Sequence, residues 1–264
     1  MDGGHAAADG GRSATAVRAP STAGRRPAEL DLAAGPGPVR TPAPGALPAL
    51  WIVDAARHAA SAAMAAPTVL DEEEQRRAAA LRREHDRATY LVAHVALRTL
   101  LGAYLDIPPR HVNLVRENCP LCDEPHGRPA VEGGAPHFSL SHSGSLALLA
   151  VAAQPVGVDV EEVPSARTTA EVVGALHPRE RAELGLLPPA ERPSACARIW
   201  ARKEAYLKGI GTGLARDPSL DYLGAAPGPA SVARWRVVDV SVPSGFAGAV
   251  ATPGREQPKG AAGA

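Results

Sequence analysis

Gly157-Val158-Asp159-Val160-Glu161 and Trp200-Ala201-Arg202-Lys203-Glu204-Ala205-Tyr206-Leu207-Lys208 decide how this chain is read. The first stretch alternates valines with acids, the pattern of a half-buried strand. Side chains two apart on a strand share a face. Asp159 and Glu161 therefore point one way, and Val158 and Val160 point into a core. The second stretch reads as a helix, on which positions four apart lie nearly above one another. Trp200, Glu204 and Lys208 form one stripe. If strand and helix meet, three carboxylates and a lysine converge, and the carboxylates repel unless a hard cation sits among them. Mg²⁺ fits, since it takes a few carboxylate oxygens, keeps some water and accepts phosphate oxygens from a substrate.

Working outward, residues 1–48 are rich in Ala, Gly, Pro and Arg with no apolar period. They read as a disordered tail or an upstream extension. Folded structure is expected from a short strand at Leu50–Val53. Asp71-Glu72-Glu73-Glu74 then opens one long helix, the acids complementing its dipole; it runs to Leu105, before Pro108-Pro109. A strand is expected at 111–115, followed by a turn-rich loop, Cys119 to Pro129. Phe138–Ser143, Leu146–Ala153 and Gly157–Val163 read as three consecutive antiparallel strands. Residues 49–162 thus form one α+β half. Residues 163–252 read as a looser copy, with helices over 177–187 and 191–209 and strands over 235–242 and 246–251. Residues 253–264 are a second disordered tail. The expected fold is α+β, two similar halves with the site in the cleft between them.

The chain has 264 residues, 28 basic and 28 acidic side chains and 3% aromatics. Balanced charge argues against a nucleic-acid-coating protein, and scarce aromatics against a single-strand stacking platform. Three cysteines do not make a disulfide framework. The longest apolar run, Leu146 to Ala153, is too short to cross a bilayer, and no signal-peptide pattern opens the chain. A cytoplasmic enzyme is the expectation, with no nucleic-acid or membrane partner.

The ordered set of motifs resembles the Sfp-type 4'-phosphopantetheinyl transferases. It comprises Gly127-Arg128-Pro129, Phe138-Ser139-Leu140-Ser141-His142-Ser143, Gly157-Val158-Asp159-Val160-Glu161, and Trp200 through Lys203-Glu204-Ala205 to Lys208-Gly209-Ile210-Gly211-Thr212-Gly213-Leu214. Each block alone is weak; their order is specific, and the resemblance spans Leu50 to Ala251. It implies two α+β halves related by a pseudo-twofold axis. It also implies Mg²⁺-dependent transfer of the phosphopantetheine arm of coenzyme A to a serine of an apo acyl or peptidyl carrier protein, releasing 3',5'-adenosine bisphosphate, in the manner of a holo-[acyl-carrier-protein] synthase.

By that resemblance Asp159, Glu161 and Glu204 hold Mg²⁺, Glu204 also takes the serine proton, and Lys208 neutralises charge on the phosphate oxygens. His142 contacts a coenzyme A phosphate, with Ser141 adding a hydrogen bond. Arg128 approaches the adenine or its phosphate. Lys203 faces coenzyme A or solvent, and Arg77 and Arg87 clamp the 3'-phosphate or line a solvated basic face. Ser139 stands where the family often has Asn, and Glu74 where some relatives place a lysine. Carrier docking is expected between Val163 and Arg198, near Leu184–Leu187, and two fused halves make a monomer reasonable. Two other readings use the same acids: a binding-only paralogue that docks carriers or nucleotides, and a metal-dependent nucleotide pyrophosphatase.

Cys119-Pro120-Leu121-Cys122 with His126 has the spacing of one zinc knuckle, but a structural site needs four ligands and Cys196 is far along the chain. A tight turn with two small thiols is the plainer account.

Overall fold

The computed structural model describes residues 25–230 and 232–254. Nine strands and six α-helices form a mixed α+β fold around two sheets among these residues. Strand β1 (Ala28–Glu29) runs parallel to β2 (Ala49–Asp54). Helices α1 (Ala55–Val69), α2 (Glu72–Ala80) and α3 (Glu84–Leu105) follow. Next come β3 (Leu114–Arg116), β4 (Pro129–Val131), β5 (His137–Ser143), β6 (Leu146–Ala152) and β7 (Gly157–Glu162). The chain then forms α4 (Ala166–Val172), α5 (Pro178–Leu186), α6 (Arg192–Ile210), β8 (Trp235–Val240) and β9 (Phe246–Pro253).

The first sheet has the order β1-β2-β6-β5, the second β7-β9-β8, and β3 pairs with β4 alone. All of β6 is buried because both of its faces are covered. Ala147 and Leu149 pack with α1 and α3. Leu146, Leu148, Ala150 and Ala152 pack against Val158, Val160, Val240 and Val250 of the second sheet. The strand's two-residue period thus places β6 between the helices and the other sheet. Helix α3 is long and apolar enough to cross a membrane by composition alone. In this fold its apolar face, including Val92, Leu97 and Leu100, lies in the core.

Several expectations change. Residues 25–48 are not a disordered tail: Leu30 is buried in the core and Ala28–Glu29 pairs with Trp51–Ile52. Residues 1–24 and 255–264 lie outside those described. The single helix expected from Asp71 to Leu105 is two. α2 starts with a capping box in which Asp71 and Glu74 each accept the other's backbone N–H, and the chain is extended at Leu81 and Arg83 before α3 begins. The strand expected from His111 begins at Leu114, because Pro109–His111 forms a 3₁₀ turn.

The expected three-strand meander stops at two strands. β7 pairs antiparallel with β9, not β6, so the acidic strand belongs to the second sheet. Beside it, β5 meets β7 through side chains rather than a backbone ladder. Ser139 Oγ accepts from the Val158 N–H at 3.0 Å, and Ser143 Oγ accepts from the Glu162 N–H at 3.0 Å. A hydroxyl every second residue of β5 stitches the two sheets together.

Candidate metal centre and its adjoining cavity

Helix α6 sits close on β7 because the residues between them are small. Ala201 and Ala205 are fully buried there. A Cβ built on Gly157 would lie 1.9 Å from the Ala205 carbonyl oxygen and 2.4 Å from the Gly209 nitrogen. That approach brings Lys208 onto the acidic strand: its Nζ lies 2.6 Å from Asp159 Oδ1 and 3.0 Å from Ser141 Oγ. Helix α6 ends one turn later at Gly211, whose φ of 84° is the left-handed cap that glycine adopts without a Cβ penalty.

Asp159 is 2% exposed. Its Oδ1 also accepts from Ser141 Oγ at 2.6 Å, whereas its Oδ2 is buried with no hydrogen-bond partner. Glu161, on the same strand face, accepts from Ser143 Oγ at 3.2 Å. Glu204 is half-buried, and its charge is felt by Glu161. Burial pushes all three carboxyls above the usual range, against the pull of Lys208. The Asp159 carboxylate adds to the rise at both glutamates, and Glu161 reaches about 7. Three acids that resist ionisation together, one with an orphaned buried oxygen, are matched to a hard cation. The strand–helix convergence expected for Asp159, Glu161, Glu204 and Lys208 is therefore present.

Lys208 separates this cluster from a cavity of about 540 Å³. Arg77, His94, Arg116, His126, Arg128 and His142 lie on its wall, beside the apolar faces of Phe138 and Leu140. Arg128 pairs with Glu117 at 2.7 Å and donates to the Gly209 carbonyl at 2.8 Å, so it spans from the β3–β4 loop to the end of α6. His142 is exposed on that wall. Desolvation, then the neighbouring His94 and Lys208, lowers its pKa.

Other expected site residues stand elsewhere. Lys203 faces neither the cavity nor solvent. It is 2% exposed, 2.8 Å from Glu180 Oε2, and donates to the carbonyls of Pro218 and Asp221. One residue along a helix turns the side chain by about 100°, which carries Lys203 from the Glu204 stripe into the α5–α6 interior. Ser141 orients Asp159 and Lys208 instead of facing the cavity. Arg77 is on the wall, paired with Glu73, while Arg87 is exposed at the start of α3, off that wall.

His94, seven residues after Arg87 and so on the same helical face, is the polar side chain that α3 brings to the cavity, beside Leu97. That spacing was the available signal for it. Its Nδ1 lies 3.0 Å from Glu74, which also receives the buried Arg98. Burial acts to raise the Glu74 pKa, but His94 and Arg98 outweigh it and hold the carboxyl below its usual value. Glu74 is thus an anchor between α2 and α3. Arg116 had no periodic or motif signal; it reaches the wall from β3 and donates to the Gly127 carbonyl at 3.1 Å.

The model of the 4'-phosphopantetheinyl transferase superfamily matches residues 155–236, which run from β7 through α6 into β8. The chain is 30% identical over 181 residues to the 4'-phosphopantetheinyl transferase HetI of Nostoc sp. (strain PCC 7120), covering 65% of this chain and 73% of that one. It is 38% identical over 127 residues to psf-1 of Bacillus pumilus, covering 45% and 52%. It is 28% identical over 123 residues to Sfp of Bacillus subtilis (strain 168), covering 45% and 54%. Both proteins are named 4'-phosphopantetheinyl transferases. The chain belongs to the 4'-phosphopantetheinyl transferase family, and within it is of the Sfp type.

Proposed function

We propose that this protein transfers the 4'-phosphopantetheine arm of coenzyme A to a serine hydroxyl of an apo acyl or peptidyl carrier protein, with Mg²⁺, as a holo-[acyl-carrier-protein] synthase type enzyme. The observation that carries the reading is the buried Asp159, with its unpartnered Oδ2, beside Glu161, Glu204 and Lys208 at the edge of a cavity rich in basic side chains. Asp159, Glu161 and Glu204 would hold the ion, which when bound supplies charge that neutralises a diphosphate.

The serine oxygen forms a bond to the phosphorus that carries the pantetheine arm. The bond from that phosphorus to the bridging oxygen breaks, and 3',5'-adenosine bisphosphate leaves with the bridging oxygen. Glu204, its basicity raised by burial, takes the serine proton. Lys208 shifts its charge from Asp159 to the phosphate oxygens, since phosphoryl transfer depends mainly on positioning and charge stabilisation. Arg77, Arg128 and His142 face the adenosine and its 3'-phosphate across the cavity.

Each sheet carries one long helix, α3 or α6, and an antiparallel strand pair, β5–β6 or β8–β9. This repetition supports two halves related by a pseudo-twofold axis. Leu186 on α5 is 87% exposed and supports carrier docking between Val163 and Arg198. The enzyme acts as a monomer in the cytoplasm, in biosynthesis of secondary metabolites.

Intact-mass spectrometry of several apo carriers incubated with enzyme, coenzyme A and Mg²⁺ tests the proposal. One carrier at least should gain one phosphopantetheine. No gain on any carrier refutes it, as does adenosine bisphosphate release without a carrier, the signature of a pyrophosphatase. Tight carrier binding without turnover would instead mark a binding-only protein.

A further inference from the structure

The loop between β3 and β4 brings together Cys119, Cys122 and His126. One ligand atom from each lies within 4.8 Å of the others. Cys122 Sγ is 3.0 Å from His126 Nε2, and all three cysteines of the chain are free thiols. Bonds of about 2.3 Å to sulfur and about 2.0 Å to nitrogen set ligand spacings of about 3.3–3.8 Å in a tetrahedral zinc site. The observed spacings differ from these by amounts that side-chain rotation removes, because Cys122 and His126 are exposed and free to turn.

The backbone already has a compact turn there. The Asp123 N–H donates to the Cys119 carbonyl at 2.8 Å, and the Cys119 N–H donates to the Glu124 carbonyl at 2.8 Å. The backbone N–H groups of Leu121 and Cys122 are directed at the Cys119 sulfur, the donors that a metal-bound thiolate accepts. Asp123 sits at φ 62°, which lets the chain reverse immediately after the second cysteine.

We propose that Cys119, Cys122 and His126 bind a zinc ion separate from the carboxylate centre, with a solvent molecule as fourth ligand. The softness of two thiolates and an imidazole selects zinc over magnesium, so the two sites do not compete for one ion. Three protein ligands leave the fourth position open, unlike a closed structural site, but the place of this knuckle sets the ion between the cavity wall and the end of α6. Pro120 at its tip lies over Gly211, the cap of α6: a Cβ built there would be 3.5 Å from Pro120 Cγ. At its other end Gly127 is wedged against the carbonyls of Glu117 and Asn118, and Arg128 crosses to Gly209. The metal therefore pins the cavity wall to the end of the helix that carries Glu204 and Lys208. Three residues separate Cys122 from His126, and the reversal at Asp123 brings the histidine back onto the cysteine.

The test uses the full chain, purified reduced and stripped with a chelator. Zinc or cobalt is added alone, and metal content and the cobalt absorption spectrum are read. About one ion per chain is expected, with thiolate-to-cobalt charge transfer and the visible bands of a tetrahedral site. Both should persist in Asp159→Ala and disappear in Cys122→Ser and in His126→Ala. Zinc should raise the melting temperature of the wild type and not of Cys122→Ser. The proposal is overturned by reduced wild type that holds no more zinc than Cys122→Ser, or by a cobalt spectrum without thiolate charge transfer.

Discussion

Lys203 separates fold from chemistry, and replacing it with methionine makes the distinction measurable. Its ammonium sits 2.8 Å from Glu180 Oε2, and both side chains are almost wholly removed from water, at 2% and 0% exposure. It also donates to the carbonyls of Pro218 and Asp221. Glu180 in turn accepts from the backbone N–H groups of His177, Leu223 and Gly224. Met keeps most of the volume but leaves a buried carboxylate without its counter-charge. Removing one partner of such a pair costs about 3–5 kcal/mol. At about 2–4 °C per kcal/mol for a chain of this size, the melting temperature should fall by about 6–20 °C.

The Glu180→Gln/Lys203→Met double variant should lose less than the sum of the single losses, because no buried charge is then left alone. Calorimetry of the four proteins gives the coupling. The KM for coenzyme A, measured below the transition, should stay near the wild-type value. A Lys203→Met protein with an unchanged melting temperature and a raised KM would place the lysine on the substrate and refute the argument.

Three other outcomes follow from the same geometry. Gly157→Ala puts a methyl 1.9 Å from the Ala205 carbonyl oxygen, so α6 must lift from β7. A loss of about 3 kcal/mol or more in denaturant unfolding is expected, together with loss of transfer. Glu161 has a folded pKa of about 7 against an ordinary 4.5. The folded state therefore binds the extra proton between those values, and without metal this group's contribution to stability falls as pH rises through 7. Between pH 5.5 and pH 8 the contribution falls by about 2 kcal/mol, read as the difference between wild type and Glu161→Gln. Mg²⁺, which needs the ionised form, should bind more weakly below pH 7. Glu204→Gln should reduce transfer by about 100-fold or more with the circular dichroism spectrum intact; near-wild-type rates would remove Glu204 as the base.

The site was more legible in the sequence than the fold around it. The pairing of Asp159 and Glu161 on one face, and of Glu204 with Lys208 on one stripe, follows from backbone periods that tertiary context does not alter. Lys203 shows where this reading stops: a lysine beside a motif glutamate carries no mark of the buried acid that claims it. Helix α1 was missed because the residues it buries, Ala55, Ala62 and Ala66, are the same small residue that stands on its exposed face at Ala56, Ala60 and Ala63. The pairing of β7 with β9 was missed because adjacent strands usually pair, and only packing of Leu146, Leu148 and Ala150 against Val158 and Val160 separates the two sheets. Ser141 read as a phosphate donor; in three dimensions the alternation of Ser139, Ser141 and Ser143 is what fastens that seam.

The central claim is that the acidic strand and the Glu-Lys helix enclose a divalent ion gripping a diphosphate. Diffraction from a crystal grown with coenzyme A and Mg²⁺ addresses it directly. The account predicts an ion about 2.1 Å from oxygens of Asp159, Glu161 and Glu204, with diphosphate oxygen and water filling the rest of its octahedral shell, and Lys208 turned onto the phosphate. Coenzyme A bound with those carboxylates apart and no ion among them would contradict it.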